Sequence, residues 1–195
     1  MVGLRGLGIA IVALGVLYAV IHYSGGSTGR SVPTQRISIS EIGSETPATT
    51  TDPRAIADQL FNEALAAHET GDSVRAQQFV PMALSAYADL GDLDLDARYH
   101  VALLNLAADR AGAAVAQSDT MLARVPDHLL ALLVGARAYD KLGQPDRAAD
   151  YYERFLQAHT PDTATSRQEY LDHARVLATG RQTALDYLRA HGRDH

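Results

Sequence analysis

The chain has 195 residues, 47% of them apolar and 21% charged, which suits one folded domain with an appendage and excludes wholesale disorder. A net charge of −6, with arginines interleaved among aspartates, excludes the basic stripe that nucleic-acid binding requires. With no cysteine there are no disulfides, thiolate metal sites or cysteine nucleophiles, and the redox compartment is left open.

Residues 6–21 read GLGIAIVALGVLYAVI without a charge, and His22 and Tyr23 extend the run. At about 18 residues this is just long enough to cross a bilayer. Arg5 and the amino terminus flank its near end, so the positive-inside rule predicts a single-pass helix at 6–23 in the inner (cytoplasmic) membrane. Residues 1–5 then lie in the cytoplasm and the rest of the chain outside it. The alternative is a cleaved signal peptide, for which Ser24 and Gly26 offer only a poor cleavage site.

Residues 24–52 are rich in Ser, Thr and Gly, carry few large apolar groups and show no helical period. That composition predicts a flexible linker, with a reach on the order of 30 Å. Within it, Ile37 to Ile42 alternates apolar and polar residues like a lone strand without a partner.

From residue 53 the pattern changes. Asp52 and Pro53 form a helix start, a capping carboxylate followed by a proline whose missing N–H costs nothing in the first turn. Pro126-Asp127, Pro145-Asp146 and Pro161-Asp162 repeat the signal, and Gly71, Gly91, Gly143 and Gly180 supply turns. The apolar periodicity predicts eight helices, near 53–69, 73–89, 95–108, 111–125, 128–142, 146–158, 163–178 and 181–191. Paired, they make about four antiparallel hairpins. Pro81 falls inside the second helix, where it removes a hydrogen bond and is expected to bend or loosen the helix.

Between Pro126 and Pro161, Leu132, Gly135, Ala136, Tyr139, Gly143, Ala148 and Tyr152 lie at the spacing of a 34-residue helical repeat. The segment resembles the tetratricopeptide repeat (TPR) family. Leu60, Ala64, Gly71, Ala76 and Ala83 extend the resemblance to the first pair of helices. The second pair matches at Ala102, Ala114, Met121 and Pro126, but Arg98, Asn105 and Ser118 replace large apolar residues and Asp109 stands where glycine turns the chain. The last pair, ending in Ala184, Tyr187 and Ala190, reads as a terminal cap.

The resemblance implies an all-α fold, an α-solenoid of helix hairpins over residues 53–195, whose first helices line a groove for a protein or peptide. By spacing, the groove-facing candidates are Phe61, Leu65 and His68, then Tyr99, Leu103 and Leu106, then Leu133, Arg137, Asp140 and Lys141. Family members that grip a C-terminal carboxylate use several lysines there, whereas Lys141 is the only lysine of this chain. The implied function is a membrane-anchored scaffold or adaptor of a bacterial envelope. A holdase-like chaperone, or a secreted soluble protein after signal cleavage, is the alternative.

No constellation marks an enzyme. Asp92, Asp94 and Asp96 begin like a calcium loop, but Ala97 replaces its glycine and Leu103 its bidentate glutamate. The aspartates read instead as an acidic first turn that complements the helix dipole. His191 and His195 are four apart at the terminus without a third ligand in sequence. His68, His100, His128, His159 and His173 are dispersed singly, and we assign them surface or hydrogen-bonded structural roles. No phosphate loop, nucleophile elbow or zinc-protease motif is present, and no cofactor or metal is expected.

Overall fold

The structure is a computed structural model that describes residues 52–193, and the predicted membrane segment at 6–23 and nearly all of the linker lie outside these. Among the described residues there are nine helices and no strand. They are α1 (Pro53–Glu69), α2 (Ser73–Asp89), α3 (Leu95–Ala107), α4 (Ala111–Arg124), α5 (Leu129–Lys141), α6 (Pro145–Ala158), α7 (Pro161–Ala164), α8 (Gln168–Asp172) and α9 (Ala174–Ala190). None is long and apolar enough to cross a membrane.

Caps and turns set the boundaries. Asp52, Asp72 and Asp94 accept backbone hydrogen bonds from Arg54, Arg75 and Ala97 at the starts of α1, α2 and α3. One turn geometry closes all three hairpins. A residue with φ of +72° at Gly71, +55° at Asp109 and +67° at Gly143 follows each first helix. The next residue's N–H reaches back to a carbonyl five positions earlier: Asp72 to Ala67, Arg110 to Asn105, Gln144 to Tyr139. Asp109 therefore holds the left-handed conformation that glycine adopts at the other two turns.

Small residues let α5 approach the helices on either side of it. A Cβ at Gly135 would stand 2.5 Å from Ser118 Oγ and 2.6 Å from the Tyr151 ring, so α5 meets both α4 and α6 where it has no side chain. Ala148 and Ala149 of α6 are buried, and α5 is buried continuously from Leu129 to Ala136. The polar residues that break the repeat pattern are accommodated. Ser118 Oγ donates to the Ala131 carbonyl, Asn105 Nδ2 to the Val101 carbonyl, and Arg98 Nε to the Leu93 carbonyl. α2 continues through Pro81, which sits on its exposed side. Each helix from α1 to α6 packs chiefly on its neighbours in the chain, as in a solenoid.

The C-terminal part departs from expectation. In place of helices at 163–178 and 181–191, the chain forms the short α7 and α8 and then one continuous α9 through Gly180. Hydroxyls explain the breaks: Thr160 Oγ1 caps α7, Thr165 donates to the Pro161 carbonyl, and Ser166 donates to that of Thr163. Gly180 is no turn. A Cβ there would stand 2.6 Å from Leu133 Cδ1, so the glycine lets α9 lie close against α5. Leu177, Gly180, Ala184 and Leu188 form the buried stripe by which α9 packs on α6 and α5. The predicted fourth hairpin is thus a capping segment rather than a pair of helices.

Candidate functional site

The groove candidates fall into two groups. Phe61, Tyr99, Leu103, Leu106 and Leu133 are buried, and Leu65 is partly so. His68, Arg137, Asp140 and Lys141 are exposed. Part of the face built by the first helices is covered by the chain itself: Gly180 lies on Leu133, the His173 ring meets the Tyr99 ring edge-on at 5.0 Å, and Tyr187 donates to Asp140. Lys141 pairs with Asp109 across the neighbouring turn. His68 borders a cleft of about 570 Å³ that also involves Val80, Pro81 and Ala107, at the turn edge of the first two hairpins.

The strongest concentration of chemistry lies elsewhere, around the first turns of α1 and α3. Arg54 occupies its centre. Its Nε binds Asp58 at 2.9 Å, Nη1 binds Asp94 at 2.9 Å and Nη2 binds Asp96 Oδ2 at 2.7 Å. The spacing that places Asp96 one turn before His100 brings both to the side of α3 where His173 arrives from the α8–α9 junction. His173 Nε2 stands 3.0 Å from Asp96 Oδ1 and 3.4 Å from His100 Nε2, and the last edge of this triangle, His100 Nε2 to Asp96 Oδ1, is 3.6 Å.

A buried relay orients His100. The Tyr87 hydroxyl lies 2.5 Å from Asp58 Oδ1 and 2.8 Å from His100 Nδ1. Asp58, an ionised carboxylate paired with Arg54, accepts the hydrogen bond that the Tyr87 O–H donates, and His100 Nδ1–H must then be the donor to the tyrosine oxygen. The lone pair of neutral His100 is thereby left on Nε2, the atom that faces Asp96 and His173. The ring stacks on Phe61 with centroids 4.0 Å apart.

Burial lowers the pKa of His100, which keeps it neutral, despite the opposing pull of Asp96. Burial works to raise the Asp96 carboxyl, but the His173 hydrogen bond, the two neighbouring imidazoles and the Arg54 guanidinium outweigh it and hold the group below its ordinary value. Burial and the Asp58 hydrogen bond push the Tyr87 hydroxyl far above the usual tyrosine range, so it stays protonated. No buried side-chain nitrogen or oxygen among the described residues lacks a hydrogen-bond partner.

A second histidine ties the C-terminal segment down. His128, fully buried, caps α5 by accepting from the Ala131 N–H through Nδ1, while Nε2 faces Glu169 Oε1 at 3.3 Å. Tyr170 accepts the Leu129 N–H at 3.0 Å and packs against the His128 ring. Two of the five histidines expected to stand singly do not: His100 and His173, separated by 73 positions, share one site with Asp96. Only the spacing of Asp96 and His100, one turn apart on one helix, was legible beforehand. Asp94 does cap α3 as the acidic first turn implied, and Asp92 pairs with Arg124. A scan against protein-family models returns no match, and a search of curated proteins finds none similar to this chain.

Proposed function

We propose that the chain is a tetratricopeptide-type adaptor, anchored through residues 6–23 and docking another protein of the cell envelope. The observation that supports this reading is the recurrence of one turn: the left-handed residue of the second hairpin, Asp109, and that of the third, Gly143, are one repeat length of 34 apart. Phe61, Tyr99 and Leu133 keep the same offsets from those turns, at equivalent places on the three first helices. A stack of such hairpins offers an extended surface for a partner rather than an enclosed substrate pocket.

Burial divides the work among the residues. Phe61, Tyr99, Leu103, Leu106 and Leu133 hold the stack together, and the exposed Arg137, Asp140, Lys141 and His68 present the polar surface a partner reads. Mixed signs on that surface favour a partner chosen by charge complementarity over general capture of apolar segments. Site-specific photo-crosslinking tests this in cells, with the reactive side chain at position 137 and a control at the exposed Gln157 of α6. One discrete product at 137 and none at 157 is the expected result. A smear of many products at 137 supports the chaperone alternative, and identical patterns at both positions remove the docking face.

A further inference from the structure

The geometry points to a metal site: Asp96, His100 and His173 are placed to hold one divalent transition-metal ion of the zinc class, fastening the start of α9 to α3. The three donor atoms are 3.0, 3.4 and 3.6 Å apart. On a tetrahedral zinc ion with bonds of about 2.0–2.1 Å, donors stand about 3.3–3.4 Å apart, whereas octahedral bonds of that length bring neighbours to about 2.8–3.0 Å. The observed edges average near the tetrahedral value. A point about 2.0–2.1 Å from all three atoms lies about 0.5–0.8 Å off their plane, which brackets the height of about 0.7 Å at which a tetrahedral ion sits above three of its ligands.

The surroundings match a metal centre in three further respects. The Tyr87–Asp58 relay fixes the His100 tautomer with its lone pair on Nε2, the outer-shell arrangement by which a metal-binding imidazole is oriented. Arg54 occupies Asp96 Oδ2, which leaves Oδ1 to bind through one oxygen. Asp58, Asp94 and Asp96 set three carboxylates against the single guanidinium of Arg54, a negative surplus that a cation would offset. In the metal-free arrangement His173 Nε2 donates its proton to Asp96, so coordination requires that nitrogen to give it up. A cleft of about 410 Å³ bordered by Asp94, Asp96, Arg167, Glu169 and Asp172 opens Asp96 to solvent. With three protein ligands, the fourth position falls to water.

The site does not depend on the adaptor reading. Its test uses the untagged full-length chain in detergent micelles, titrated with zinc against a chromophoric chelator and separately with Co(II). One zinc per chain is expected, with intense tetrahedral Co(II) absorption that zinc abolishes. His173→Gln should weaken zinc binding by at least about 100-fold and Tyr87→Phe by roughly 10–100-fold. The double variant His191→Gln, His195→Gln should bind as the parent does. X-ray absorption of the zinc-loaded double variant should count two imidazoles, a reading that needs no substitution in the core. Absence of stoichiometric uptake overturns the site, as does binding lost in the tail variant and kept in His173→Gln. A weak, octahedral Co(II) spectrum overturns the tetrahedral assignment.

Discussion

The third hairpin and the segment after it are held to the stack by different physics. Between Leu129 and Ala158, helices meet through residues with little or no side chain, Gly135, Ala148 and Ala149, and the contact is buried and local. Between Pro161 and Arg193 the apolar stripe of α9 is supplemented by hydroxyls, imidazoles and ion pairs that fasten the chain. Tyr170 accepts the Leu129 amide, His173 joins Asp96, and Arg193 gathers Asp150 and Glu153 of α6. The first kind of contact leaves a period in the sequence, because every turn of helix must present the right volume. The second leaves none, since each polar partner lies some 40 or more positions away.

Two glycines inside helices put this contrast to its sharpest test. Gly135→Ala drives a methyl into Ser118 Oγ, itself buried and bound to the Ala131 carbonyl, and into the Tyr151 ring. Overpacking of that kind costs about 1–3 kcal/mol. Gly180→Ala meets only the end of the flexible Leu133 side chain, and the helix gains about 1 kcal/mol of intrinsic propensity. Its net effect should stay within about 1 kcal/mol. Urea unfolding of the two variants gives the comparison directly, and equal losses would show that α9 is packed as rigidly as α5.

The polar fastening is probed by Tyr170→Phe, which strips the Leu129 N–H of its partner while keeping the ring against His128. A buried donor left unpaired costs about 1–3 kcal/mol. Hydrogen exchange should show where the loss falls: the Leu129 amide and α8 should lose protection while α1 and α2 keep theirs. Uniform loss along the chain would mean that the C-terminal segment is integral to the stack and not a separate clasp.

Acid should loosen the same segment. Burial lowers the pKa of His128 below its ordinary value of about 6.5, against the raising effect of Glu169, so the fold favours the neutral ring. That contribution is complete above the unfolded pKa and is lost as the pH falls through about 6.5 toward the folded value. His100, lowered by burial, acts with the same sign. The melting temperature should therefore drop between pH 7.5 and pH 5. His128→Asn keeps a capping oxygen for the Ala131 N–H and removes one titrating group. It should melt lower at pH 7.5 yet show a smaller drop to pH 5.

These contrasts explain what the sequence revealed and what it hid. Six helices from α1 to α6 were legible within a residue or so, because capping aspartates, turn glycines and apolar period agreed. Asp109 was flagged as a departure from glycine, and the structure places it in the left-handed region all the same. Gly180 misled, since a glycine that ends a helix and one that admits a neighbouring helix look alike without the partner Leu133. The Asp96, His100 and His173 cluster was out of reach for the same reason. Two of its members share one turn of α3, but the third arrives through a chain reversal that no periodicity encodes.

Arg137→Ala should show the smallest effect and completes the comparison from the surface. Arg137 is exposed on α5, flanked by the buried Ala136 and Ala138, so it belongs to the hairpin whose inner face is most tightly packed. Substitutions at exposed positions away from caps and buried networks stay within about 0.5 kcal/mol. The melting temperature should therefore match the parent's, while partner capture weakens if Arg137 carries recognition. A marked loss of stability would instead place Arg137 among the contacts that hold the stack, alongside the Tyr99 and Tyr152 rings whose hydroxyls feel its charge. In that case the polar docking face would shrink to His68, Asp140 and Lys141.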